Sequence, residues 1–166
     1  MYMHVIVTAP LAAARLMADQ CLCFRARRVS RALTRVYDEA LRPLGIQATQ
    51  LTLLNVIALS GEQGGPMSAT AELLAMDGTT LSRNLQPLEK AGLVRVGRDS
   101  ADRRVRIALL TPAGRRLIQR ALPLWKRAHR QVVEALGPGE ARALRDRFDA
   151  TVLAAGPPPA GTRGAA

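Results

Sequence analysis

The stretch "DGTTLSRNLQPLEKAGLV", residues 77–94, predicts a helix that ends at a glycine and leads directly into a strand. Asp77 is a suitable N-cap because its carboxylate can accept hydrogen bonds from the backbone of the first turn. Leucines then recur at spacings of four and three, at Leu81, Leu85 and Leu88, which predicts one buried stripe. Gly92 stands where a helix C′ glycine is expected.

The first two turns of this helix carry hydrogen-bonding side chains instead of the Glu/Lys mixture typical of a solvated helix. They are Thr79, Thr80, Ser82, Arg83, Asn84 and Gln86. Arginine pairs bidentately with guanine, and Asn or Gln pairs with adenine, so this face is suited to reading base edges. The alternative is that Thr79 and Ser82 support capping while Arg83 and Gln86 are simply solvated. Pro87 follows these residues and predicts a bend just behind them.

A β-hairpin is predicted after this helix, with strands in "LVRVG" and "RRVRIALL" around the polar tip "RDSAD". The tip is flanked by Arg98, Arg103 and Arg104, with Asp99 and Asp102 between them. A basic tip suits the minor groove of DNA, and one or both aspartates are expected to hold an arginine in place. Residues 79–116 contain nine Lys or Arg and three Asp or Glu, an excess of six positive charges. Such an excess favours binding to phosphates.

Three helices are predicted before this region. The first is amphipathic and runs from 22 to 44, and the second, "QLTLLNVIALS", is apolar nearly all round, with Thr49 as its cap. The third is short, "MSATAELLAMD", with Leu73 and Leu74 directed inward. The intervening "GEQGGP" is predicted to be a loop.

Two helices are predicted after the hairpin. Thr111 and Pro112 begin a long helix that runs to about Leu136, where Gly137-Pro138-Gly139 breaks it. The last helix is amphipathic, and its apolar positions are marked by Leu144, Phe148 and Val152.

This order of elements predicts a mainly α fold with a small β-hairpin wing, a winged helix-turn-helix with N- and C-terminal dimerisation helices. The terminal helices have apolar faces that the small central module cannot cover alone, so a homodimer is expected. Its two-fold symmetry suits double-stranded DNA with a palindromic operator. The predicted boundaries are an N-terminal arm at 1–20, a domain at 21–153 and a disordered tail at 154–166. Within the domain, 21–46 and 112–153 are assigned to dimerisation and 47–111 to DNA binding.

The charge of the whole chain agrees with an anionic partner. The 166 residues include 24 Lys or Arg and 13 Asp or Glu, a formal net charge of +11, which attracts polyanions. No apolar run is long enough to span a bilayer, and no basic segment precedes the apolar N-terminal stretch, so a cytoplasmic location is expected. Binding of the basic first helix to a membrane surface would need an exposed apolar face, which dimerisation already uses.

Enzymatic function is not expected, because no nucleophile–base pair, phosphate-binding loop or metal cluster is recognisable. No catalytic residue, metal site or cofactor is therefore predicted. A winged module that binds proteins instead of DNA is the remaining alternative of a different class. The basic wing and the net charge argue against it.

These residues resemble the MarR family of bacterial transcriptional regulators. The resemblance covers residues 21–153 approximately and includes "YDEALRPLGIQATQLTLL", "TLSRNLQPLEKAGLV" and "DSADRRVRIALLTPAGRRL". The wing pattern of Asp102, Arg104, Leu110 and Thr111 is the most specific part, whereas Ala108 departs from the usual leucine. The resemblance implies an obligate, triangular dimer that binds DNA through a winged helix on each side. It also implies a repressor that a small molecule or an oxidant releases from its operator.

The resemblance further implies an effector site in the crevice between the dimer helices and the winged module. Its effectors are typically aromatic acids or phenolic compounds. Arg27, Arg31 and Arg35 are candidates for pairing with a carboxylate, although a solvated or DNA-facing role is equally compatible with their positions. Trp125 is a candidate for lining the pocket, with packing in the core as the alternative.

The only two cysteines, Cys21 and Cys23, are candidates for redox sensing. "LCF" at 22–24, followed by Tyr37, resembles the branch of this family in which hydroperoxides oxidise a cysteine whose thiolate is hydrogen-bonded by tyrosines. Cys23 and Tyr37 match two of these positions, but a second tyrosine is missing at Ala48. The alternatives are that Cys23 is a small buried residue, or that Cys21 and Cys23 form half of a metal site.

Overall fold

The computed structural model describes residues 9–156 and has the predicted, mainly helical architecture. The helices are α1 (Ala9–Gln20), α2 (Leu22–Leu41, followed by the 3-10 turn Arg42–Leu44), α3 (Ala48–Leu59), α4 (Met67–Leu73), α5 (Gly78–Lys90), α6 (Pro112–Leu136) and α7 (Pro138–Ala155). The strands are β1 (Gly65–Pro66), β2 (Val94–Arg98) and β3 (Arg106–Leu110), which form an antiparallel sheet in the order β1-β3-β2. The chain divides into two compact units within α2, between Val36 and Tyr37.

The first unit consists of α1 and most of α2, and none of its residues from 10 to 36 is buried. Large apolar side chains are exposed, including Leu16 at 57%, Met17 at 64% and Leu22 at 81%. The segment 1–20 was predicted as an arm. It is helical from Ala9 to Gln20, and residues 1–8 lie outside the described part of the chain.

The second unit contains the core. The predicted stripe of Leu81, Leu85 and Leu88 is confirmed, since each of these side chains is at most 1% exposed. They pack in one cluster with apolar residues of α3, the sheet and α6.

The inward orientation predicted for Leu73 is wrong, because this side chain is 62% exposed. The inward face of α4 is instead formed by Met67, Thr70 and Ala71, which are buried, and Leu74 continues it at the helix end. These positions follow spacings of three and four, and Leu73 lies one position off that face.

Both predicted ends of α5 are confirmed. Asp77 accepts a hydrogen bond from the backbone N–H of Thr80 at 2.8 Å and another from its hydroxyl at 2.6 Å. At the other end, Gly92 has a φ of +69°, its N–H donates to the carbonyl of Glu89, and the N–H of Leu93 donates to that of Leu88. This is a Schellman motif, which requires a left-handed residue at the Gly92 position. The helix continues through Pro87, and the bend there stays a prediction.

The predicted cap of α3 is wrong, because the helix begins at Ala48, before Thr49. The carboxylate of Asp38 accepts a hydrogen bond from the N–H of Ala48 at 2.6 Å, and the side chain of Gln50 accepts one from the N–H of Gln47 at 2.9 Å. The carboxylate of Asp38 comes from the preceding helix, α2, so a search for a cap next to α3 in sequence misses it.

The predicted hairpin is confirmed, and β1 adds a third strand within the segment expected to be a loop. Gly65 pairs with Ala108 and Pro66 with Ile107. The preceding Gly64 has a φ of +75°, and a Cβ there would lie 2.6 Å from the carbonyl oxygen of Ala108. A two-residue strand carries no periodic pattern, so only its pairing reveals it.

Thr111 caps α6 as predicted, since its hydroxyl accepts a hydrogen bond from the N–H of Gly114 at 3.1 Å. Helix α6 ends at Leu136, and the break at Gly137 is confirmed. Helix α7 then runs to Ala155, so the first residues of the predicted tail, 154–166, are helical, and those from 157 onward lie outside the described residues. Among the helices of residues 9–156, none is long and apolar enough to cross a membrane.

Candidate functional site

The polar face of α5 is largely solvent-accessible. Thr79, Arg83, Asn84 and Gln86 are exposed, while the buried leucines on the opposite side fix the helix to the core. Thr80 differs from the other predicted contact residues because its hydroxyl donates to Asp77. This bond and the backbone N–H of Thr80 hold the pKa of Asp77 below its usual range.

A shallow cleft lies at the N-terminus of α5, lined by Met67, Ser68, Asp77, Gly78, Thr79, Ser82 and Arg106. Arg106 belongs to β3, so a cation from the wing borders the same cleft as Thr79 and Ser82 of α5. Hydroxyls, a guanidinium and helix N-terminal amides form a suitable set of donors for a phosphate group. Ser68 and Arg106 were absent from the contacts expected from sequence, because only folding brings α4 and β3 beside α5.

The three arginines of the wing tip have different surroundings. Arg98 donates through Nη1 to the carbonyl of Arg103 at 2.6 Å, so its side chain shapes the tip. Arg104 donates through Nε to Asp102 at 3.2 Å. Arg103 is exposed, and its guanidinium has no hydrogen-bond partner among residues 9–156.

The two aspartates of the tip also organise its backbone. Asp99 accepts hydrogen bonds from the N–H groups of Ala101 at 2.7 Å and Asp102 at 2.9 Å. Asp102 accepts one from the N–H of Arg104 at 2.9 Å, and this bond, followed by that from the Arg104 side chain, lowers the pKa of Asp102. Asp102 therefore holds an arginine, as expected for one of the aspartates, while Asp99 holds the turn.

Trp125 lines two adjoining cavities of about 260 Å³ each, on the surfaces of α3 and α6. Both cavities are also lined by Leu51 and Asn55. The Trp125 ring stacks on His129, with centroids 4.7 Å apart and planes 9° from parallel. The hydroxyl of Tyr37 lies 3.2 Å from Nδ1 of His129, and burial raises the pKa of this tyrosine.

The arginines predicted to bind a carboxylate belong to the first unit. Arg31 and Arg35 line a concave surface of α2 together with Arg25, Arg28, Val29 and Ala32. Arg27 is exposed but is not part of that lining. Trp125, which was predicted for the same ligand site, belongs to the second unit.

Both cysteines are exposed, so the burial considered for Cys23 is not found within the single chain. Cys21 immediately precedes α2, and its Sγ accepts a hydrogen bond from the N–H of Phe24 at 3.3 Å. The predicted thiol partner, Tyr37, has its hydroxyl bonded to His129, a residue that the sequence pattern did not connect with it.

Solved structures of three transcriptional regulators resemble this chain. The M. tuberculosis regulator MosR in complex with DNA has 37% sequence identity and a TM-score of 0.73, and the match covers 82% of this chain and 96% of the MosR chain. A MarR-family regulator from a Rhodococcus species has 25% identity and a TM-score of 0.67, covering 80% and 96%. A mutant E. coli MarR with operator DNA has 22% identity and a TM-score of 0.72, covering 82% and 97%.

No protein-family model and no curated protein sequence matches the chain. The fold and the site nevertheless define the class, a winged helix-turn-helix regulator. With the structural neighbours, this class becomes specific: the chain belongs to the MarR family of transcriptional regulators.

Proposed function

We propose that the protein is a homodimeric, sequence-specific DNA-binding repressor that a small-molecule effector releases from a palindromic operator. The observation that carries this proposal is the shared cleft in which Arg106 of the wing meets Thr79 and Ser82 of α5. A duplex that places a backbone phosphate in this cleft can meet the exposed face of α5 with its major groove and the Arg103 tip with its minor groove. The neighbour MosR was solved with DNA, which supports the same role here.

In this proposal, residues 47–111 bind DNA and residues 21–46 and 112–153 form the dimer. The predicted DNA contacts divide by their environment. Thr79, Ser82, Arg83, Asn84 and Gln86 are available to bases or phosphates, and Arg103 is available to the minor groove and backbone. Thr80, Arg98 and Arg104, whose side chains are engaged in local bonds, act mainly by holding the contact surface in shape.

A gel-shift series on the DNA upstream of the protein's own gene tests DNA binding. Arg83→Ala is expected to relax base preference by about 1–3 kcal/mol at one position, because a bidentate base contact is lost. Arg103→Ala is expected to weaken all sequences evenly and to reduce the salt slope by about 1. Arg15→Ala on α1, an exposed arginine outside both the DNA-binding and the dimer segments, is the matched control and should change neither quantity. Wild-type protein without salt-sensitive, sequence-preferring binding would contradict the proposal and favour a protein-interaction module.

For the effector, we infer a phenolic compound that lies against Trp125. The side chains lining the two cavities include Thr52, Asn55 and Gln119 but none with a charge among the described residues. A buried carboxylate without a cationic partner is unfavourable, whereas a phenol needs only hydrogen bonds. This favours the phenolic class over the aromatic acids, for which Arg27, Arg31 and Arg35 would have to provide the charge.

Trp125 is the only tryptophan, so its fluorescence reports on this site directly. Saturable quenching by 2-naphthol is expected, with at least tenfold weaker quenching by 2-naphthoate and weaker naphthol binding by an Asn55→Leu variant. Equal binding of both probes would point back to the arginines and an acidic effector.

An oxidant-responsive regulator of the same family is the second candidate, supported by the exposure of both Cys21 and Cys23. If both thiols are needed, a hydroperoxide is expected to release the wild type from DNA. The Cys21→Ser and Cys23→Ser variants should both stay bound after the same treatment. Release from DNA by the peroxide in the double variant would exclude thiol sensing.

A further inference from the structure

Strand β2 lies at the edge of the sheet, and no strand of residues 9–156 pairs with the other side of its backbone. The hairpin is bracketed by hydrogen bonds from Asp99 N–H to Val105 and from Thr111 N–H to Leu93. In an antiparallel pair the bonded positions alternate, so residues 95 and 97 bond to β3. The N–H groups of Val94, Val96 and Arg98 therefore point away from β3.

Glu89 covers the middle one of these edge positions. Its Oε1 accepts a hydrogen bond from the N–H of Val96 at 3.2 Å. Glu89 lies in the last turn of α5, so this bond links the helix with the centre of β2. An edge N–H that is bonded in this way is also protected from pairing with another chain.

The three acidic residues of the basic segment 79–116 have a common feature. Glu89, Asp99 and Asp102 each accept a hydrogen bond from a backbone N–H of the hairpin. Negative charge near DNA opposes binding, so these carboxylates need another role in this surface. The two aspartates shape the tip, and Glu89 acts at the base of the wing.

Because this bond lies at the base of the wing, a small rotation there displaces the tip. Three residues of extended chain lead from Val96 to Asp99, where the tip begins, which corresponds to roughly 10 Å. A rotation of about 10° at the base therefore moves the start of the tip by roughly 2 Å, which is enough to break a hydrogen bond. A small loss of constraint at Val96 is enough to separate Arg103 from a phosphate or groove that it would otherwise contact.

We propose that Glu89 is a positioning residue that sets the wing against α5, so that helix and wing engage DNA together. It touches neither bases nor phosphates. This role rests on the proposed DNA-binding function. It explains why an acid that would repel DNA is present in the contact surface.

Three substitutions separate positioning from electrostatics in a DNA-binding titration. Glu89→Gln removes the charge and retains a carbonyl acceptor, so it is expected to bind DNA at least as tightly as the wild type. Glu89→Ala removes the same charge and the acceptor, so at least fivefold weaker binding is expected. Glu89→Asp keeps the charge but withdraws the acceptor by one methylene, and it is expected to bind more weakly than Glu89→Gln.

The salt dependence of binding is the second measurement. Glu89→Ala is expected to reduce the slope of log K against log salt by about 1, because one wing contact to phosphate is lost. Glu89→Gln should leave that slope unchanged. Glu62→Ala, which removes an exposed acid between α3 and β1, is the matched control and should not weaken binding.

Amide hydrogen exchange at Val96 tests the contact without DNA. Exchange is expected to be slow in the wild type and Glu89→Gln and faster in Glu89→Ala and Glu89→Asp. If Val96 exchanges equally in all four proteins, or if Glu89→Ala binds as tightly as Glu89→Gln with the same salt slope, the positioning role is overturned. If the wild type binds no DNA, the proposed function fails instead, whatever Val96 does.

Discussion

Helices α5 and α7 both carry apolar residues at helical spacing, but only α5 buries them within the chain. Leu81, Leu85 and Leu88 of α5 are almost completely inaccessible, whereas Phe148 and Val152 of the α7 stripe are 41% and 51% exposed. Helix α7 has no buried residue at all. The difference indicates that the winged module completes its core alone, while the terminal helix has an apolar face that a second copy can cover.

The largest effect is expected from Leu85→Ala, which removes a side chain that is 1% exposed from the core. The free energy of unfolding should fall by about 2–5 kcal/mol through lost burial and a new cavity. Urea unfolding followed by circular dichroism measures this change.

Val152→Ala is the matched substitution on the α7 stripe and should give the opposite pattern. A side chain this exposed contributes at most about 0.5 kcal/mol within one chain. Its removal should instead shift the monomer–dimer equilibrium toward the monomer in sedimentation experiments. An unchanged dimer would show that this face of α7 is not the interface. The exposed apolar residues of α7 would then have to be explained without a second copy.

A smaller effect is expected from Gly114→Ala in the first turn of α6. A Cβ at this position would overlap with the carbonyl oxygen of Leu93 and lie 3.1 Å from Cδ2 of Leu110. The strain should lower the free energy of unfolding by about 1–3 kcal/mol. Thermal unfolding measures it.

Gly139→Ala at the start of α7 is the control for this substitution. A Cβ there meets nothing within 4 Å, and alanine favours helix over glycine by up to about 1 kcal/mol. This variant should therefore be slightly more stable than the wild type. A loss of stability equal to that of Gly114→Ala would contradict the contrast between a packed helix start and an open one.

The smallest expected effect concerns the cap of α5. Hydrogen bonds from Thr80 lower the pKa of Asp77 in the folded state. The contribution of this cap to the free energy of unfolding is therefore complete at a pH above 3.8, the ordinary pKa of an aspartate. It is lost as the pH falls through the lower, folded-state pKa. Asp77→Asn should remove this part of the pH dependence, since an amide caps without titrating.

Urea midpoints of the wild type and Asp77→Asn, measured from pH 6 down to pH 2.5, test the capping contribution. The difference between them should be constant above about pH 4 and should change only in the more acidic samples. A difference that is independent of pH throughout would mean that the carboxylate of Asp77 does not stabilise α5.

Much of the winged module was predictable because its signals are local. A cap, a leucine stripe and a terminal glycine define α5 within eighteen residues, and the hairpin follows from alternation around a polar tip. The failures came from contacts made at a distance. Asp38 holds the start of α3, the pairing of Gly65 with Ala108 creates β1, and the packing of α4 leaves Leu73 exposed.

The candidate site divides in the same way. The exposed donors of α5 and the basic wing tip were evident from residue types and spacing. The sequence did not reveal that Arg106 borders the α5 cleft, that His129 joins Tyr37 to Trp125, or that Glu89 binds Val96. Each of these contacts joins residues that are far apart in sequence or lie on different elements, so residue spacing does not predict it.

The sequence by itself determined the order of the elements from α2 onward except β1, the buried face and both ends of α5, the basic wing and the family resemblance. These depend on periodicity, capping and charge, which act over a few residues. Only the tertiary structure decided which acids hold the hairpin, which arginine of the tip is left without a hydrogen-bond partner, and which apolar faces stay exposed within residues 9–156. Those outcomes depend on which elements meet in space, and the packing of the whole core decides that.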